Sequence, residues 1–170
     1  MGTLCIMVGL SGSGKSSTVK ELIKETRDET SNVKGLLGPE TVIVSTDAIR
    51  GEICEGGVGD QSKNKEVFAI FYSRIRKGLK DGKNVIADAT NVSKYSRKCI
   101  LNCVEKTECK KIAVVIDKSI ENCKIDNPKR EYPVPDEVID RQAKNLRKNP
   151  VTLDEGFDEI IVVDANETRN

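Results

Sequence analysis

The eight residues Gly9-Leu10-Ser11-Gly12-Ser13-Gly14-Lys15-Ser16 restrict the fold more than any other part of the chain. They follow a short apolar run, 4–8, that reads as a buried strand, and they open a stretch, 15–24, that reads as a helix. Glycines at this spacing let the backbone curl until its N–H groups point inward, and the helix start adds the positive end of its dipole. The product is an anion cradle, and the pattern Gly-x-x-x-x-Gly-Lys-Ser fits the phosphates of a nucleotide. In that reading Lys15 reaches the β- and γ-phosphates and the Ser16 hydroxyl ligates Mg²⁺. Gly9, Ser11, Gly12, Ser13, Gly14, Lys15, Ser16 and Ser17 are the expected holders of ATP. The alternative is a glycine-rich turn with no ligand. A chance match in a chain of 170 residues is well below about one in a hundred.

Downstream, strand and helix signals alternate. Strands are expected at 41–44, 85–87, 111–116 and 159–163, and helices at 63–79, 93–107, 118–124 and 136–147. A loop at 35–40, a turn at 81–83 and a proline-rich irregular segment at 127–135 separate them. This alternation predicts an α/β fold, a parallel sheet sandwiched by helices, within a single domain spanning 1–170. Functional loops then gather at the carboxyl ends of the strands.

The chain has no histidine, so any general base is a carboxylate, a lysine or a cysteine. Its six cysteines form no Cys-x-x-Cys pair, which argues against zinc and for free thiols in a cytoplasmic setting. Net charge is +1, so any nucleic-acid contact depends on a local patch. No apolar run approaches the ~20 residues of a membrane span. The apolar start runs straight into the glycine loop, without a basic leader or cleavage site, so no signal peptide is expected.

Three further segments carry chemistry. Thr46-Asp47-Ala48-Ile49-Arg50 follows the second strand. Asp47 there is either a base for an acceptor hydroxyl or merely a helix cap. Arg50, one turn later, suits a phosphate or carboxylate on the acceptor. Asp88-Ala89-Thr90-Asn91 ends the third strand. Asp88 is placed to orient a Mg²⁺-bound water or to hold Arg50; the other reading is a polar turn in which Asn91 or Ser93 caps the next helix. Lys124, Lys129 and Arg130 precede Pro133-Val134-Pro135, either as a cationic lid over a triphosphate or as a solvated basic loop. Arg141 is a weaker candidate in the helix that follows.

Together these pieces resemble the 5′-hydroxyl polynucleotide kinases of the phage end-healing and bacterial RNA-repair types. The resemblance rests on Gly9 to Ser16, Ser45-Thr46-Asp47-Ala48-Ile49-Arg50, Val85-Ile86-Ala87-Asp88-Ala89-Thr90-Asn91, Asn127-Pro128-Lys129-Arg130 with Pro133-Val134-Pro135, and Glu155-Gly156-Phe157. It implies a P-loop kinase that moves the γ-phosphoryl group of ATP, with Mg²⁺, to a 5′ end of RNA or DNA. It implies Asp47 as the general base and Arg50 as the grip on a 3′-phosphate. Thr90 and Asn91 would lie beside the acceptor, and Arg130 would act as a lid arginine on the donor phosphates. Such lids often carry two arginines four residues apart, whereas here Asp126 holds the earlier place. Lys124 and Lys129 are the cations left to compensate, without arginine's bidentate fork. Two other readings stand beside this one. One is a kinase of a small-molecule or aminoacyl-tRNA hydroxyl, and the other is a nucleotide-binding switch that transfers nothing.

Overall fold

The computed structural model describes residues 1–166. Five strands, β1 (Gly2–Val8), β2 (Val42–Ser45), β3 (Val85–Asp88), β4 (Cys109–Asp117) and β5 (Glu159–Asp164), form one parallel sheet in the order β2-β3-β1-β4-β5. Parallel pairing requires crossovers, and helices supply them. They are α1 (Lys15–Leu22), α2 (Thr46–Ile53), α3 (Asn64–Lys80), α4 (Lys94–Cys103), α5 (Ile120–Asp126) and α6 (Asp136–Lys148). The expected α/β sandwich is therefore what forms.

β1 shows why both faces must be covered. Leu4, Ile6 and Val8 point to one side and Cys5 and Met7 to the other, and all five are fully buried. The first set packs with Val67, Phe71, Ile75 and Leu79 of α3 and Ile100 and Leu101 of α4. The second packs with Val19 and Leu22 of α1 and with Ile112, Val114 and Ile116 of β4. A smaller cluster of Leu10, Val92, Cys123, Ile139 and Ala143 seats α5 and α6 against the glycine loop. β1 lies between β3 and β4; the chain builds β2 and β3 on one side of it and then crosses to β4 and β5 on the other, and that reversal opens a crevice at the carboxyl ends of the strands.

Several boundaries move relative to expectation. The helix expected over 93–107 stops at Cys103, because the polar Glu105-Lys106-Thr107 stretch turns back, with the Thr107 N–H donating to Val104. The helix expected at 118–124 runs from Ile120 to Asp126, because the Ser119 hydroxyl caps it by accepting from the Asn122 N–H. The segment 127–135 starts with a single tight turn, Asn127–Lys129. Its ends are tied together: the Asn127 side chain both donates to and accepts from the backbone of Val134.

Candidate active site

The glycine loop leaves β1 and enters α1 with no spacer. Gly12 and Gly14 sit at φ +82° and +92°, where a side chain would be strained. Gly12 is also pressed against α5, so that a Cβ there would lie 2.5 Å from the Cys123 carbonyl oxygen. Gly14 is the N-cap of α1 but offers no side chain to the helix, and the first turn holds no acidic residue. The N–H groups and positive dipole end of α1 are thus left to an external anion. The Ser13 hydroxyl is buried without a partner among the described residues, and Ser11 is clamped from α6: its N–H donates to Gln142 Oε1 at 2.9 Å and its hydroxyl accepts from Gln142 Nε2 at 3.0 Å. Lys15 turns back on the loop, donating to the carbonyls of Gly9 (3.1 Å) and Leu10 (2.9 Å). Its pKa is pushed down to about 8, chiefly because the protein strips water from the ammonium; Asp88 and Asp47 draw it up and Arg130 pushes it lower. Ser16 and Ser17 stand exposed in the first turn of α1.

Asp47 is not the cap of α2. That role belongs to Ser45, whose hydroxyl accepts from the Ala48 N–H at 3.2 Å. The Asp47 carboxylate is half-exposed at the cleft, paired with Arg50 (3.1 Å) and 3.9 Å from Arg130. Arg50 is nearly buried; besides Asp47 it reaches Asn64 Oδ1 at 3.1 Å, and its Nε has no partner among the described residues. Arg50 is therefore held by Asp47 and Asn64 rather than by Asp88, one of the two tasks the sequence allowed Asp88.

Asp88 ends β3 beside the loop and lines the same cleft. Burial raises its pKa, as does the charge of Asp47, against the pull of Lys15 and Arg130. Ser16 and Asp88, the two residues expected at a metal ion, both line the cleft, and no group of three or more His, Cys, Asp or Glu side chains among the described residues is arranged to hold one. That set suits a Mg²⁺ that takes most of its ligands from phosphates and water. Thr90 lines the cleft, and its carbonyl accepts from the Gly9 N–H at 3.0 Å.

Asn91 departs from expectation. Its side chain is buried and donates to the Met7 carbonyl of β1 at 2.8 Å, with its backbone at φ +48°. It props up the strand end instead of lining the cleft, and Ser93 takes the cap of α4. Beneath it lies a group the sequence reading missed. Arg97, fully buried, donates to the carbonyls of Asn91 (3.0 Å) and Asn149 (2.8 Å) and to Glu155 (2.8 Å).

Arg130 lines the cleft from the segment after α5, with one of its Nη atoms buried and without a partner among the described residues. Asp126 pairs with Lys118 and Lys129, and Lys124 pairs with Asp140. Lys118, another residue the sequence reading passed over, lies one position beyond β4 and enters the cleft wall. Only the topology, which sets β4 beside β1, reveals it. The cleft holds about 950 Å³ and is lined by five cations, Lys15, Arg50, Lys118, Arg130 and Arg141, against three carboxylates, Asp47, Asp88 and Asp126.

The model of the AAA domain family matches residues 4–149. Among curated proteins none matches. Among solved structures, a chain of the Pnkp1/Rnl/Hen1 RNA repair complex aligns with a TM-score of 0.70 at 24% identity, over 86% of this chain and 44% of that one. The present chain thus spans less than half the length of that relative. A fungal RNA kinase aligns with a TM-score of 0.58 at 14% identity, over 99% and 77% of the two chains. A sugar kinase from Janibacter sp. aligns with a TM-score of 0.62 at 16% identity, over 97% and 86%. At these identities the likeness is one of fold, and the fold is that of the P-loop kinases.

Proposed function

We propose that this chain, which belongs to the AAA domain family, transfers the γ-phosphoryl group of ATP to the 5′-hydroxyl of an RNA or DNA end. The observation that carries the reading is Arg50: a nearly buried guanidinium on the cleft, holding Asp47 and keeping its Nε unpartnered. A cation fixed one turn from a carboxylate suits an acceptor that brings its own phosphate close to the reacting hydroxyl, as a nucleotide 3′-phosphate does. The cleft's surplus of cations, five against three carboxylates in a chain of net charge +1, fits two polyanionic substrates meeting there. The fold likeness to a chain of an RNA repair complex and to an RNA kinase points the same way.

In this scheme the loop N–H groups and Lys15 hold the β- and γ-phosphates. Lys15 exchanges the carbonyls of Gly9 and Leu10 for phosphate oxygens. Asp47 orients the acceptor hydroxyl and takes its proton. Arg130 moves from Asp47 toward the phosphates and stabilises the charge that develops on the transferred group. Ser16 and Asp88, the latter through a water, would hold a Mg²⁺ ion, which would supply neutralisation of the donor phosphate charge. Transfer is then in line, driven by positioning and electrostatics.

A second reading, a kinase of a small-molecule hydroxyl, draws on the sugar-kinase likeness, which covers 86% of that chain. Incubation with γ-labelled ATP and a panel of 5′-hydroxyl RNA and DNA oligonucleotides, sugars and sugar acids separates the two. Label on the oligonucleotide 5′ ends is expected. Label on a sugar with none on any oligonucleotide would replace the first reading by the second, and turnover of ATP with no labelled acceptor would leave neither.

A further inference from the structure

Lys118 is positioned by the sheet. The β1–β4 ladder pairs Val8 with Val115, so the residues that follow β4 arrive next to the loop that follows β1. The Lys118 side chain is only 7% exposed. Its ammonium donates to the Gly12 carbonyl at 2.9 Å and pairs with the Asp126 carboxylate. All three residues line the cleft. Burying an ammonium is costly even when it is paired, and α5 has other anchors. That helix is capped by Ser119 and presses on the loop through the Cys123 carbonyl and the small apolar cluster.

We propose that Lys118 is a second phosphate-binding cation of the glycine loop, restrained by Asp126 until nucleotide displaces that carboxylate. This rests on the reading of the cleft as a nucleotide donor site, and it extends that reading to a residue outside the loop and to a built-in restraint. The ammonium has three donors and no fixed plane. A phosphate chain lying along the loop brings oxygens that compete with the Asp126 carboxylate for those donors. Lys118 then adds to donor affinity and Asp126 subtracts from it. Asp126 also pairs with Lys129, 3.1 Å away, so it keeps a counter-ion when Lys118 turns to the phosphates. Moved from Lys118, Asp126 stays at the first turn of the 127–134 loop that carries Arg130, so nucleotide occupancy and the seating of that loop become linked.

A purely structural clamp predicts the same sign of effect for both partners, while the proposal predicts opposite signs. Calorimetric titration of ATP and ADP with Mg²⁺ into the full chain, alongside thermal melts, reads the difference. Lys118→Met is expected to weaken binding roughly tenfold or more, the share of a charge-assisted contact. Asp126→Asn is expected to tighten it several-fold, and the double variant to match Lys118→Met, because the Asp126 effect acts through Lys118. Adenosine, which has no phosphates, is expected to bind all of them alike. The inference fails if Lys118→Met binds ATP within about twofold of the wild type, or if Asp126→Asn weakens binding as Lys118→Met does. Should Lys118→Met not fold, the sign of the Asp126→Asn effect decides the question alone. A wild type that binds no nucleotide overturns the donor-site reading together with this one, whereas normal wild-type binding with an unchanged Lys118→Met overturns this one only.

Discussion

Replacing Arg50 by alanine is expected to divide acceptors by whether they carry a 3′-phosphate. Among the described residues the Arg50 guanidinium makes two contacts, to Asp47 and Asn64, each at 3.1 Å, and keeps Nε without a partner. A phosphate bound there gains a charge-assisted hydrogen bond, about 1.5–3 kcal/mol. Its loss corresponds to a rise of roughly 10- to 150-fold in KM for a nucleoside 3′-monophosphate. The same substitution deprives Asp47 of its partner. The Asp47 side chain is 51% exposed, so that ion pair is worth only about 0.2–1 kcal/mol, and kcat falls no more than roughly fivefold. The KM effect therefore dominates. Initial rates with labelled ATP, a nucleoside 3′-monophosphate and its parent nucleoside measure both terms. The parent nucleoside shows only the small kcat effect, and the KM for ATP stays close to wild type. The reasoning is refuted if the wild type uses the two acceptors equally well, or if Arg50→Ala raises both KM values together.

Asp47→Asn keeps nucleotide affinity while transfer falls by a factor on the order of 10²–10⁴, the share of a general base. A drop in melting temperature with normal specific activity would instead make Asp47 structural. Nucleotide affinity is flat below pH 8 and declines above it by at most about tenfold per pH unit. The sign follows because phosphates bind the protonated form of Lys15, whose pKa of about 8 in the empty site rises on binding, so the bound state takes up a proton at higher pH. Titrations from pH 7 to pH 9.5 check this, with Lys15→Met giving weak, pH-independent binding. Arg97→Met costs about 3–5 kcal/mol in urea unfolding, since it strands Glu155, 3% exposed, without its counter-ion. That is a large part of the roughly 5–15 kcal/mol available to a domain.

What could be read from the sequence follows from how local each signal is. The glycine loop, the strand-helix alternation and the polar strand ends are short-range patterns, and the α/β architecture and the cleft residues Lys15, Asp47, Arg50, Asp88, Thr90 and Arg130 came from them. The doubt between base and cap at Asp47 was not settled by spacing, because Ser45 and Asp47 are both good caps; the structure gives the cap to Ser45. Asn91 misled because a polar residue at a strand end serves the cleft or the backbone equally well, and its left-handed conformation is invisible in sequence. Lys118 and Arg97 escaped for a different reason. Each matters through partners 106 and 58 residues away, Gly12 and Glu155, and only the fold brings those together.

The most direct test of the account is a crystal structure of the chain with Mg²⁺, ADP and a 5′-hydroxyl dinucleotide carrying a 3′-phosphate next to its reacting end. The predicted result places the 5′ oxygen within hydrogen-bond reach of the Asp47 carboxylate, about 2.6–3.2 Å, with the neighbouring 3′-phosphate on Arg50 and the ADP phosphates in the glycine loop. A dinucleotide bound elsewhere, or one whose 5′ oxygen faces away from Asp47 with Arg50 still engaged only by Asp47 and Asn64, would contradict it.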